Sequence, residues 1–173
     1  MELIFARHGA AVGVGAPGAP DDFSRMLTPE GRRRLQAQAA ALRALGVRFD
    51  LALTSPLVRA RETASILVRS QAPEPVELLE CEELRPGVAW SNLARVLAPC
   101  AARVHTALLV GHEPDMSSLV SWMCFDRVSE NFVFQTGMMA CVAPENFGSF
   151  PRARLRWLLP PDLMIAIAEA SEF

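Results

Sequence analysis

The sequence predicts an α/β fold built on a largely parallel sheet, and three observations carry that expectation. Short apolar runs of strand length alternate with longer stretches of helical spacing. Three of the helical stretches open on a residue followed by proline, at positions 28–29, 55–56 and 113–114, as helices tend to start. The 173 residues are 51% hydrophobic and 21% charged, a globular composition long enough to bury one core without disulfides.

Taken in order, residues 3–6 read as the first strand because four apolar side chains follow one another. A loop rich in Gly and Pro covers 9–20. Thr28-Pro29-Glu30 then supplies an N-cap, a proline at the first helical position and an acid in the first turn, which predicts a helix from Pro29 to about Leu45 stopped at Gly46. Residues 51–54 form the second strand. Ser55-Pro56 opens a helix through about Val68, and Pro73 and Pro75 bar its continuation. The third strand is expected at 76–79, a helix at 90–97 and the fourth strand at 107–110. Glu113-Pro114 opens a helix through about Met123. Beyond Cys124 the pattern is less regular: short strands are expected at 132–134, 138–142 and 154–158, and an amphipathic helix at 163–170. Residues 124–136 fit a flap, an interface or a plain loop. No repeat, linker or low-complexity tract divides the chain, so residues 1–173 are read as one domain.

The net charge of −2 provides no positive field to hold a polyanion, which argues against nucleic-acid binding. All 17 basic residues are arginine. A chain without lysine has no Walker A phosphate loop, no Schiff-base lysine and no kinase-type lysine. Cys81, Cys100, Cys124 and Cys141 form no C-x-x-C pair, and His8, His105 and His112 have no zinc-binding spacing, so neither a metal nor a cofactor is expected. The opening residues show no leader pattern, and no apolar run approaches the roughly 20 residues that cross a bilayer. The expectation is a cytoplasmic chain with reduced thiols that is monomeric or weakly homo-oligomeric and has no membrane partner.

One motif misleads. Gly13-Val14-Gly15-Ala16-Pro17-Gly18 matches the dinucleotide fingerprint G-x-G-x-x-G. Its first glycine lies seven positions past Ala6, however, and Pro17 and Pro20 interrupt the helix that fingerprint requires. A loop without nucleotide is the reading here.

The functional signal lies at the strand exits. In open parallel sheets ligands bind beyond the carboxyl ends of the strands. Arg7-His8-Gly9 follows strand one, Arg59 falls in the first turn of the helix after strand two, Glu82 and Glu83 follow strand three, and Gly111-His112 follows strand four. Bland alternatives exist for single members: Arg59 could pair with Glu62 at i+3, Glu82 and Glu83 could be a solvated turn, and Arg61 should point to another face. His105 has no strand-exit position and is read as structural or exposed, and Met116, Met123, Met138 and Met139 as core.

Two histidines, two arginines and a carboxylate without lysine or metal suit phosphoryl transfer through histidine. Neutral imidazole is a nucleophile near pH 7, neighbouring arginines press its pKa down, and their forked donors match the equatorial oxygens of the transition state. The positive end of the helix after strand two would add to the same pocket.

The triplet Arg7-His8-Gly9, Leu27-Thr28 with Gly31, the run Thr54-Ser55-Pro56-Leu57-Val58-Arg59-Ala60-Arg61-Glu62-Thr63-Ala64 and Leu109-Val110-Gly111-His112-Glu113-Pro114 together resemble the histidine phosphatase (phosphoglycerate mutase-like) superfamily, in forms most similar to its SixA-type phosphohistidine phosphatases. The resemblance spans residues 1 to about 123, with a weaker echo in Thr136-Gly137 and around Trp157. It implies a three-layer α/β/α sandwich with a mostly parallel central sheet. It also implies metal-independent hydrolysis with His8 as the nucleophile, Arg7, Arg59 and His112 on the phosphoryl group beside Gly9, and Glu83 nearest to the leaving-group acid. The implied substrate is phosphohistidine in a protein or a small phosphorylated metabolite. A phosphate-binding module without turnover is the rival from another class.

Overall fold

The computed structural model describes residues 1–73, 76–87, 89–148 and 152–171. The four strands expected in the first 111 residues are present: β1 at Glu2–Arg7, β2 at Leu51–Thr54, β3 at Glu77–Glu80 and β4 at Thr106–Gly111. With β5 (Met139–Pro144) and β6 (Ala153–Leu159) they form one six-stranded sheet in the order β3-β2-β4-β1-β5-β6. The first four run parallel, whereas β5 pairs antiparallel with β1 and β6 antiparallel with β5. The expected three-layer, mostly parallel architecture is the one observed.

Five helices cover the sheet: α1 at Pro29–Ala44, α2 at Val58–Arg69, α3 at Trp90–Leu97, α4 at Asp115–Phe125 and α5 at Pro161–Ala170. The central strands read as unbroken apolar runs because both of their faces are buried. Ile4, Ala6, Ala52, Leu108 and Val110 pack against α1, α2 and α5 through Leu35, Leu42, Ala60, Leu67 and Met164. Leu3, Phe5, Leu53 and Leu109 pack on the other face against α3 and α4 through Leu93, Leu97, Met116 and Val120. Thr28 caps α1 as expected, its hydroxyl accepting from the Gly31 N–H at 2.9 Å. Gly31 tolerates no side chain, since a Cβ there would lie 2.3 Å from the Ala10 carbonyl oxygen.

Three expectations need correction. α2 starts at Val58 rather than at Pro56, and α4 at Asp115 rather than at Pro114, because in both places the X-Pro pair is spent turning the chain off a strand. Residues 132–134 form no strand: Phe134 is buried, Phe132 packs edge-on against it at 5.7 Å, and no neighbouring strand offers a ladder. β3 is exposed along its whole length, as an edge strand can be. Pro75, expected to help end α2, lies outside the described residues, and α2 ends at Arg69. The glycine-rich segment holds only the isolated bridges Ala11–Leu27 and Ala16–Ala19. No helix among the described residues is long and apolar enough to cross a membrane.

Candidate active site

The topology dictates where a ligand can enter. After β1 the chain crosses to α1 on one face of the sheet, and after β4 to α4 on the opposite face. β1 and β4 are neighbours, so their exits diverge and leave a crevice between them, the switch point at which α/β sheets bind ligands.

Register then fixes who meets whom. Arg7 pairs with Gly111 as the last rung of the β1–β4 ladder, and the His8 N–H continues it to the Gly111 carbonyl at 3.0 Å. The next residues, His8 and His112, therefore stand side by side one strand spacing apart, about 4.8 Å. Their ring centroids are 5.1 Å apart. β2 adds the third exit: the Ser55 N–H reaches the Val110 carbonyl, and the Ser55 hydroxyl lies 2.8 Å from His112 Nε2.

The protonation pattern of His8 follows from its partners. Nδ1 lies 2.7 Å from the Gly9 carbonyl, which only accepts, so Nδ1 carries the proton. Nε2 lies 3.1 Å from Arg59 Nε, which only donates, so Nε2 holds the lone pair. His8 is 7% exposed and His112 2%. Burial pushes the His8 imidazole down to about 4, helped by Arg59, Arg7 and Arg25 against the Gly9 hydrogen bond. Desolvation, rather than the arginine charge expected from the sequence, is the larger cause. Burial likewise pushes His112 down to about 3, with His8, Arg59 and Arg7 adding to it and Asp22 opposing.

Arg59 is 4% exposed and does not pair with Glu62. Glu62 instead takes the Leu27 N–H at 2.7 Å and Arg32 at 2.6 Å, tying the loop to α2. Arg59 turns inward because Thr63, one helical turn on, accepts the Gly9 N–H at 3.0 Å while donating to the Arg59 carbonyl at 2.7 Å, which clamps α2 onto the exit of β1. Gly9 permits that approach, since a Cβ there would meet Leu35 Cδ1 at 2.6 Å. Arg7 donates from Nη1 to the Phe134 carbonyl at 2.6 Å. Arg7 Nε and His112 Nδ1 are both buried without a protein partner among the described residues. The Val58 N–H at the start of α2 is taken by the Phe23 carbonyl at 3.1 Å, so this donor of the helix end serves the loop.

The carboxylates fall differently. Glu83 lies in a short helical turn at Glu82–Leu84 and takes the Cys81 thiol at 3.4 Å, and among the described residues no hydrogen bond or ion pair joins it to the histidines or to Arg59. Glu82 is on the surface with Arg85 at 2.9 Å. Arg61 is exposed and pairs with Glu80, and His105 is exposed. Two side chains at the site escaped the sequence argument. Ser55 was read only as a helix start, although a hydroxyl at a strand exit was the available signal. Asp22, which binds Arg59 with its carbonyl and its carboxylate, sits in an irregular loop where only the Asp-x-x-Arg spacing to Arg25 hints at it. Among the described residues, no group of three or more His, Cys, Asp or Glu side chains is arranged to hold a metal ion.

The family model of the histidine phosphatase superfamily (branch 1) matches residues 3–96, more than half of the chain. The chain belongs to that superfamily. An uncharacterized protein of Picosynechococcus sp. is 36% identical over 135 residues, which cover 76% of this chain and 78% of that one. The serine/threonine-protein phosphatase Pgam5 of Drosophila ananassae is 33% identical over 85 residues, 49% of this chain but 28% of Pgam5. Among solved structures, the protein histidine phosphatase SixA complexed with tungstate superposes with a TM-score of 0.78 at 24% identity, covering 94% of this chain and 98% of that one. The α-ribazole phosphatase of Shigella flexneri superposes at 0.64 with 19% identity, covering 93% and 97%. At those identities the superpositions speak for the fold, which is SixA-like. The superfamily makes the chain a phosphatase, a hydrolase of phosphoryl groups, and leaves its substrate to be argued from the site.

Proposed function

We propose that the chain hydrolyses its substrate through a covalent phosphohistidine on His8, and that the substrate is phosphohistidine in a protein. The observation that carries the covalent step is the pair of hydrogen bonds on the His8 ring: a carbonyl on Nδ1 and a guanidinium on Nε2 leave Nε2 unprotonated, held in place and aimed at whatever Arg59 binds. In the first step Nε2 forms a bond to phosphorus as the bond to the leaving group breaks. Arg59 Nε–H, released from Nε2, passes to an equatorial oxygen. Arg7 Nε–H is a second donor without a protein acceptor. If Ser55 gives its hydroxyl proton to His112 Nε2, then His112 Nδ1–H is the third, and a bound phosphoryl group would satisfy all of them at once. In the second step water attacks phosphorus, the P–N bond breaks and His8 returns to its neutral form.

Three features support a phosphoprotein as substrate. The fold is that of a SixA described as a protein histidine phosphatase. The stretch from β3 to α3 is short and carries one helical turn, with little chain to cover the crevice. Imidazole also departs more easily than an alkoxide, which suits a site whose sequence-derived acid, Glu83, is bonded to Cys81. For a small phosphoester, the competing substrate class, we assign Glu83 as the proton donor, a role that requires it to release the Cys81 thiol and bind a proton first.

The test has two parts. His8→Ala abolishes turnover of p-nitrophenyl phosphate, EDTA leaves wild-type turnover intact, and an alkaline denaturing quench captures labelled phosphate on His8. Full activity in the variant, loss of activity with chelator, or an unlabelled wild-type protein overturns the covalent step, and the last result with tight phosphate binding indicates a recognition module instead. A kcat/KM comparison of phosphohistidine proteins, sugar phosphates and nucleotides, with a preference above about 100-fold for one class, decides the substrate.

A further inference from the structure

Each of the three nitrogens of Arg59 donates one hydrogen bond within the protein. Nε meets His8 Nε2 at 3.1 Å, Nη1 the Asp22 carbonyl at 2.6 Å, and Nη2 Asp22 Oδ2 at 3.1 Å. The other carboxylate oxygen of Asp22 receives Arg25 Nη1 at 2.8 Å. Exposure rises across these groups: His8 and Arg59 are buried, while the Asp22 side chain is 54% exposed. Asp22 therefore stands on the solvent side of the guanidinium that holds the nucleophile. In-line displacement puts the departing atom opposite the attacking one, and with His8 at the bottom of the crevice the departing atom faces the mouth. Among the described residues, Asp22 is the carboxylate hydrogen-bonded to Arg59, and its exposure puts it at that mouth.

We propose that Asp22 selects the leaving group: its carboxylate receives a nitrogen leaving group that arrives with its own N–H, the imidazole of a phosphohistidine, and disfavours an oxygen that must leave as an alkoxide. This rests on the reading under Proposed function and deepens it. The chemistry balances without a proton donor. In a phosphohistidine ring protonated on its second nitrogen, the P–N bond breaks, its electron pair returns to the ring nitrogen, and imidazole departs neutral while His8 Nε2 bonds to phosphorus. A carboxylate accepting from the second N–H stabilises the charge that ring carries before cleavage. An alkoxide instead needs a proton as it leaves. Arg25, and beside it Arg59, hold the Asp22 carboxyl below the usual range, so it stays ionised, has no proton to give, and its charge opposes the one developing on oxygen. When the phosphoryl group takes Arg59 Nη2, the bond to Arg25 keeps the carboxylate at the rim.

The test uses Asp22→Asn, which keeps the backbone carbonyl on Arg59 and an oxygen that accepts from Nη2 but removes the charge. The variant and the wild type are assayed on a phosphohistidyl peptide and on p-nitrophenyl phosphate, whose leaving group needs no proton. The ratio of kcat/KM for the peptide to that for the aryl ester is expected to fall about tenfold, the size of one charge-assisted hydrogen bond. An equal fall on both substrates makes Asp22 a mere support for Arg59 and overturns the proposal, as does an unchanged ratio. Wild-type protein that cleaves phosphoesters but no phosphohistidyl peptide overturns the substrate reading itself, and that result needs no variant.

Discussion

The site is assembled from two regions of unlike construction. At the exits of β1 and β2, His8 and Ser55 sit on backbone that continues the sheet's hydrogen bonding, His112 directly follows the last residue of β4, and all three are buried. Above them, the loop between β1 and α1 belongs to no ladder: scattered backbone bonds such as Val12 N–H to the Met26 carbonyl at 2.9 Å close it on itself, and side chains pin it, Glu62 on the Leu27 N–H and Arg25 Nε on the Val12 carbonyl at 2.6 Å. Among the described residues, Arg59 is the side chain that bonds both to His8 at the exits and to Asp22 in the loop. The difference teaches a division of labour: on the proposed reading the sheet fixes the groups that meet phosphorus, and the loop supplies the carboxylate that discriminates between departing atoms.

Perturbations rank by which region they strike. Arg59→Ala removes the joint between the two, and kcat on p-nitrophenyl phosphate should fall about 10²–10³-fold, with Arg59→Lys recovering little because a point charge lacks the fork. A loss below tenfold would mean that Arg7 and the histidines suffice. Acid strikes the exits next. Both imidazoles are depressed from the ordinary 6.5, to about 4 for His8 and about 3 for His112. Between those values and 6.5 the unfolded chain binds protons that the folded one refuses, so this stability is fully present above about 6.5 and is lost as the pH falls toward 4. The slope is up to about 1.4 kcal/mol per pH unit for each group. Thermal unfolding followed from pH 7.5 to 4.5 should show Tm dropping, and the double variant His8→Asn with His112→Asn should flatten that drop. An equally steep drop in the double variant would place the acid sensitivity elsewhere.

Ser55→Ala tests the exits more gently. It strips His112 of its Nε2 partner without touching His8, and kcat should fall about tenfold or less, the cost of one lost hydrogen bond. A loss as large as that of Arg59→Ala would give the hydroxyl a direct role on the phosphoryl group. The smallest effect concerns the thiols. Burial pushes Cys81 up to about 11 and Cys141 up to about 12, so iodoacetamide at pH 7.5 should leave both unmodified by mass spectrometry and activity intact.

The same contrast explains what could be read in the sequence. The ends of β1, β2 and β4 were legible to within one residue because a strand buried on both faces has to be an unbroken apolar run. Placing His8 and His112 on one edge of the sheet needed only the rule that ligands bind beyond the carboxyl ends of parallel strands, whereas the adjacency of β1 and β4 shows only in the strand order. The rest was illegible for definite reasons. Ser55-Pro56 and Glu113-Pro114 carry the letters of a helix start, but the chain uses them to leave the sheet. Phe132 and Phe134 have strand propensity with no partner strand, and the Phe134 carbonyl instead holds Arg7. Asp22 sits where no periodicity exists, so its meeting with Arg59, 37 residues away, is visible only in three dimensions.

The rung that joins Arg7 to Gly111, and the His8 N–H bond just past it, give the two imidazoles a common footing. Their spacing is thus a property of the sheet's own lattice rather than of any loop. The pair follows central strands buried on both faces, the class of element that opens last in local unfolding, so its separation is set by the part of the fold least prone to open.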